Sequence, residues 1–248
     1  MIAATFRGDL LAGKFALVSG GTSGIGAAIA SALADLGARV TVTGATDAEA
    51  EAAGRHQDFR ADRALAVDVR DETAVGACIA GFARLDIVVN CAGIIRRAPE
   101  HDPKTFAEVV DVNLNGTMRV CSAARSLLAA NAGCIVNTAS MYSFFGGAHA
   151  PAYTASKGGV AQLTKALAAA YAADGIRVNA VAPGWIATPL TAMVRDDAQK
   201  SGAILARTPL GRWGEVDDVA GSVVFLCSPA SAFVTGVILP VDGGYLIS

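Results

Sequence analysis

Seven short β-type runs alternate with helical segments almost from one end of the chain to the other, and this alternation limits the possible folds more than any other feature. The runs are FALVSG (15–20), ARVTVTG (38–44), RALAVDV (63–69), LDIVVNCAG (85–93), GCIVNTAS (133–140), GIRVNAVAP (175–183) and VILPVDGG (237–244). Several are apolar along most of their length, the pattern of parallel strands covered by helices on both faces. Helical spacing falls at 24–36, 71–83, 104–130, 153–173 and 215–227, the first closing at Gly37 as a C-terminal cap. The pattern predicts an α/β fold: a doubly wound parallel sheet of seven strands with helices on both faces. No linker, repeat or low-complexity tract divides the 248 residues, so 1–248 reads as a single domain. The least regular part, 184–214, is longer than a plain connection and reads as a binding loop.

Where the first strand meets the first long helix the sequence is LVSGGTSGIGAA (17–28). Glycine lets the backbone turn tightly or approach another group closely, and a strand running through glycines into a helix is the setting in which helix N-terminal amides receive a pyrophosphate. The spacing Gly20-x-x-x-Gly24-x-Gly26 differs from the G-x-G-x-x-G fingerprint, so a tight turn without a ligand also fits this stretch alone.

The remaining motifs decide between the two. With SGGTSGIG at 19–26, NCAG at 90–93, VNLNG at 112–116, Ser140, YTASK at 153–157 and PG at 183–184, the chain resembles the short-chain dehydrogenase/reductase family along almost its whole length. The resemblance implies a Rossmann-type fold, a nicotinamide dinucleotide cofactor and hydride transfer between a secondary alcohol and a ketone. It implies a cofactor site made of Gly20, Thr22, Ser23, Gly24, Ile25 and Gly26 in the glycine-rich loop. Thr43 belongs to it at the end of the second strand, Asp68 and Val69 at the end of the third, and Asn90, Ala92 and Gly93 at the end of the fourth. Pro183, Gly184, Ile186 and Thr188 follow the sixth. In the family pattern Asp68 holds the adenine amino group and Thr188 contacts the nicotinamide carboxamide, with Ile186 adding a backbone contact; Asp68 also suits the N-cap of the helix from 71. Ser19 stands where Thr is usual and keeps the hydroxyl, and Cys91 replaces a more frequent Asn or Ala and reads as packing.

Tyr153 and Lys157 are four apart in a helical segment, so both side chains share one face. A free tyrosine titrates near pH ~10, and a nearby ammonium favours the phenolate. The resemblance makes Tyr153 the general acid/base, lets Ser140 hydrogen-bond the substrate oxygen, gives Lys157 the nicotinamide ribose as well, and puts Asn113 in a water-linked proton relay. An amide bonded to backbone is the alternative for Asn113.

Three stretches, AGIIRRAP (92–99), SMYSFFGGAHAPAYTASKGGV (140–160) and ILARTPLGRWGEVDDVAG (204–221), are similar to those of 2-deoxy-D-gluconate 3-dehydrogenases and gluconate 5-dehydrogenases. Arg96, Arg97 and His149 can hold a carboxylate or hydroxyls, with Met141 and Trp185 beside them; solvated surface arginines fit the same spacing. A 3-oxoacyl-carrier-protein reductase, or a cofactor-binding regulatory protein without turnover, shares most of these motifs.

The formal charge of −2 and the ordinary content of 53% hydrophobic residues argue against nucleic acid as a partner. The five cysteines form no metal-ligand cluster with the three histidines, so no metal site is expected, and with no signal-like or membrane-spanning segment a cytoplasmic location is expected. The resemblance implies a homotetramer built on the helices near 104–130 and 153–173. Cofactor choice turns on VTVTGATDAEA (40–50), where Gly44 and Ala45 replace both the acidic residue of an NAD site and the basic one of an NADP site. Ser23 also stands where NADP-dependent relatives carry Arg or Lys. NAD is therefore expected, with NADP still open.

Overall fold

The computed structural model describes residues 2–248. In chain order its elements are α1 (Ile2–Thr5), β1 (Phe15–Ser19), α2 (Gly24–Asp35), β2 (Arg39–Gly44), α3 (Asp47–Arg55), β3 (Arg63–Ala66), α4 (Glu72–Ala80), β4 (Ile87–Asn90), α5 (Pro103–Val110), α6 (Gly116–Ala129), β5 (Cys134–Thr138), α7 (Pro151–Tyr171), β6 (Arg177–Pro183), α8 (Ala192–Arg195), α9 (Ala198–Arg207), α10 (Val216–Cys227) and β7 (Ile238–Val241).

All seven strands pair in parallel in the order β3-β2-β1-β4-β5-β6-β7. Successive strand residues enter opposite cores, which explains the unbroken apolar runs. Val18, Val89 and Val136 pack with Ile29 and Leu33 of α2 and Val223 of α10, while Leu17, Val88 and Ile135 pack with Ile79 of α4, Leu128 of α6 and Leu167 of α7. The winding reverses between β1 and β4, where Ser19 pairs with Asn90, and a crevice opens outside the carboxyl ends of those strands. Among the described residues no helix is long and apolar enough to cross a membrane.

Three local expectations are corrected. The helix expected over 104–130 is broken by a π-helical turn at Asp111–Asn115 between α5 and α6, which a 3.6-residue period does not reveal. The third strand stops at Ala66, leaving Asp68 and Val69 in the turn beyond it. Helix α3 carries no strong apolar stripe, burying only Ala50 and Ala53, and so escaped the periodicity. The segment 184–214 contains α8 and α9, and its ends are fastened together: the Gly214 amide donates to Trp185 O at 2.9 Å and the Ala187 amide to Gly214 O at 2.8 Å.

Candidate active site

The glycine-rich loop is shaped by close approach. Gly20 has φ +68°, and a Cβ built on it would lie 2.5 Å from the Ala92 nitrogen, so β1 and β4 can converge at the crevice only with glycine there. A Cβ on Gly26 would run into the Gly20 carbonyl oxygen. The N-cap of α2, Ser23, makes no side-chain bond to the first-turn amides, although it is an ordinary capping residue. Those amides of Gly24, Ile25 and Gly26 stay available to an anion. Thr188, after β6, faces Gly24, its Cγ2 lying 3.8 Å from the position a Cβ would take there. The bare helix start and the close-packed glycine turn fit a pyrophosphate-bearing dinucleotide.

At the carboxyl end of β5, Ser140 caps the turn Met141–Ser143 and its Oγ accepts from the Tyr142 amide at 3.2 Å. Tyr153 and Lys157 come from the first two turns of α7. Burial pushes the Tyr153 phenol up to about 12, with Ser140 opposing through a hydrogen bond, and draws the Lys157 ammonium down to about 8. Lys157 Nζ donates to Thr138 O at 2.6 Å and lies 5.6 Å from the Tyr153 ring centre. The expected lowering of the tyrosine by its lysine is thus not seen: burial dominates both groups and the ammonium is turned to a carbonyl. Asn113, fully buried in the π-turn, accepts from the Ile94 amide at 2.8 Å and donates to Ile94 O at 2.9 Å and to Ser156 Oγ at 3.0 Å. Ser156 in turn donates to Tyr153 O at 2.8 Å. The backbone-bonded alternative for the Asn113 side chain is therefore realised.

A family model described as Enoyl-(Acyl carrier protein) reductase matches residues 20–246. The 2-dehydro-3-deoxy-D-gluconate 5-dehydrogenase of Bacillus subtilis (strain 168) is 44% identical over 243 residues, 95% of this chain and 96% of that one. The chain belongs to the short-chain dehydrogenase/reductase family. Galactitol 2-dehydrogenase (L-tagatose-forming) of Cereibacter sphaeroides is 40% identical, with 96% of each chain covered. The crystal structure of a gluconate 5-dehydrogenase from Burkholderia cenocepacia J2315 in complex with NADP and tartrate superposes with a TM-score of 0.90 at 38% identity, covering 98% of this chain and 100% of that one. The protein is accordingly an NAD(P)-dependent oxidoreductase in which a tyrosine serves as general acid/base.

Other residues of this dehydrogenase fall into place less uniformly. Thr43 is buried in β2, its carbonyl accepting from the Gly21 amide at 3.0 Å. Asn90 turns its amide inward, donating to Asn137 Oδ1 at 2.9 Å, so its side chain does not line the crevice; Ala92 and Gly93 do not share that constraint. Asp68 is clamped by Arg70 at 2.6 Å, which holds its carboxyl below the ordinary carboxylate range, and the helix cap is Asp71. Cys91 is packing, its Sγ 3.2 Å from Thr138 Oγ1 and its thiol pushed up by burial. Val69 packs on Gly116, while Pro183 ends β6 and the Gly184 amide donates to Val241 O at 3.0 Å. Ile186 O accepts from Thr191 Oγ1 at 2.6 Å.

The two arginines separate. Arg96 reaches away to Glu108 at 3.1 Å, whereas Arg97 makes no ion pair among the described residues and sits in a turn that Glu100 ties to the Tyr153 amide; its charge only weakly opposes the burial that raises the Tyr142 and Tyr153 phenols. Met141 is buried and His149 exposed; Trp185 meets Trp213 edge-on with ring centres 5.7 Å apart.

Two residues escaped the sequence reading. Glu100 has no local signal. Glu49 has one in the spacing Thr46-x-x-Glu49: Thr46 caps α3, and Glu49 Oε2 accepts from the Ala45 amide at 2.7 Å, setting a carboxylate against Gly44. Arg39 starts β2 at the opposite end of the strand and pairs with Asp62 at 3.5 Å.

Proposed function

We propose that the enzyme interconverts a secondary alcohol and a ketone in a sugar acid or polyol, with NAD(H) preferred and Ser140, Tyr153, Lys157 and Asn113 as its catalytic set. The carrying observation is the meeting of Ser140, Tyr153 and Lys157 at the carboxyl edge of the sheet, with Arg97 on the same side. Ser140 and the Tyr153 hydroxyl hold the substrate oxygen, and the proton leaves or arrives at Tyr153 Oη. Lys157 orients the ribose, and Asn113 extends the proton path through a water held at its main-chain carbonyl, its side chain being spent on Ile94 and Ser156. The bound nicotinamide supplies the hydride acceptor or donor. Segment 184–214, with Trp185, closes over the substrate, and Arg97 meets its carboxylate or hydroxyls; the names of the relatives support that substrate class.

For the cofactor, the Glu49 carboxylate at the end of β2 favours a ribose 2′-hydroxyl and opposes a 2′-phosphate, which would bring roughly two negative charges. No Lys or Arg stands in the glycine-rich loop to offset them. The test is kcat/KM for both cofactors with one hydroxy-acid substrate. A clear preference for NAD(H) is expected, and about a tenfold preference for NADP(H), the cofactor held by the Burkholderia relative, would overturn it. A homotetramer, checked by light scattering, accords with the same family pattern.

A further inference from the structure

Helix α7, which carries Tyr153 and Lys157, starts without a cap of its own. Its N-cap is Ala150, which offers no side-chain acceptor, and Pro151 has no amide to satisfy. The Tyr153 amide donates instead to Glu100 Oε2 at 2.8 Å, from 53 residues earlier in the chain. The other oxygen of that carboxylate, Oε1, accepts from the Arg96 amide at 2.7 Å.

Glu100 is 1% exposed, and among the described residues no Lys, Arg or His lies within ion-pair distance of its carboxylate. A buried carboxylate without a cation is costly, and here only two amides and the positive end of a 21-residue helix compensate it. A serine or asparagine at 150 would cap the helix without burying a charge, so capping alone does not explain this residue. What sets it apart is the second bond. Arg97, next to Arg96, adopts φ 49° and ψ −127°, a conformation rare for residues with a side chain, and its carbonyl accepts from the Glu100 amide at 2.9 Å. One buried side chain thus holds both the strained turn that presents Arg97 and the backbone of Tyr153.

We propose that Glu100 is a positioning residue whose carboxylate fastens the Arg97 turn to Tyr153, so that the cation meeting the substrate and the group moving its proton keep a fixed separation. This rests on the roles given above to Arg97 and Tyr153. Besides Glu100, the groups facing the Tyr153 hydroxyl are Ser140, Tyr142, Arg97 and Lys157, all left in place by substitution at 100.

Two variants separate charge from reach. Glu100→Gln keeps the shape but turns an NH2 toward one of the two amides, and Glu100→Asp keeps the charge on a side chain one methylene too short. In both, KM for a hydroxy-acid substrate rises about tenfold, the scale of a lost bond to a charged group, while the Kd for NADH stays within about twofold. In Glu100→Gln the pH limb belonging to Tyr153 moves to lower pH, because a negative charge opposing the phenolate is gone; in Glu100→Asp it stays. Amide exchange at Arg96 and Tyr153 quickens in both variants, and this readout needs no turnover. Unchanged KM and pH limb with only a lowered Tm would leave Glu100 a plain fold element and overturn the proposal. So would unchanged exchange at the two amides, whereas a wild type that turns over no alcohol defeats the functional reading instead.

Discussion

Lys157 lies buried with its ammonium on the Thr138 carbonyl, and burial lowers its pKa to about 8 from 10.5. Between those two values the unfolded chain binds more protons than the folded protein, so this group makes stability rise with pH across that window and leaves its full cost in place below it. Tyr153 has the opposite sign. Raised from 10 to about 12, it takes stability away only as pH rises through that higher range; between 8 and 10 the lysine is opposed by the buried thiols, which burial raises from 9.0, so the lysine is isolated by comparing wild type with a variant at 157. Lys157→Met removes the buried charge and keeps the bulk. At about pH 7 its Tm without cofactor is expected to exceed that of the wild type by several degrees, at ~2–4 °C per kcal/mol for a chain of this size. The gain narrows toward pH ~10 as the native lysine loses its proton. NADH binding weakens in the same variant. A Tm difference that ignores pH, measured by calorimetry across this range, would refute the account of the lysine.

At the scale of elements, two glycines in helices behave oppositely. In α2, a Cβ on Gly26 has no room beside the Gly20 carbonyl, whereas in the middle of α4 a Cβ on the exposed Gly76 meets nothing within 4 Å. Gly76→Ala should therefore stabilise by about 0.5–1 kcal/mol through helix propensity and leave kinetics unchanged. Gly26→Ala should displace the turn, lower Tm and weaken NADH binding at least about tenfold, because the amides proposed to receive the pyrophosphate move with it. Denaturant titration and cofactor fluorescence check both. The turn was legible in the sequence because its demand is local: strand, glycines and helix follow one another. The break at Asp111–Asn115 was not, since one extra residue in a turn leaves the surrounding apolar period intact. Glu49 and Glu100 were not singled out because the partners that define them, the Ala45 and Tyr153 amides, are set by how α3 and α7 dock.

Over the whole molecule, the strands were foreseeable because β1, β4, β5 and β6 are apolar toward both cores and the shorter runs alternate with helical segments around them; their order in the sheet was not read from the sequence. The chemistry gathers where the order reverses, at the ends of β1 and β4, and along β5 and α7 beside them. Ser140 and the Tyr153–Lys157 pair were legible by type and spacing. Their electrostatics were not, for the desolvation that raises the tyrosine and lowers the lysine comes from packing of elements distant in sequence. The account as a whole requires one group, Tyr153, to move a proton while hydride passes to or from the nicotinamide. Turnover of a panel of sugar acids and polyols by the wild type and by Tyr153→Phe, with NADH affinity measured on both, addresses this most directly. The wild type should oxidise at least one hydroxy acid or polyol, and the variant should bind NADH normally yet turn over at least about a hundredfold more slowly. Near-normal turnover by Tyr153→Phe, or tight NADH binding by a wild type that oxidises none of the panel, would contradict it.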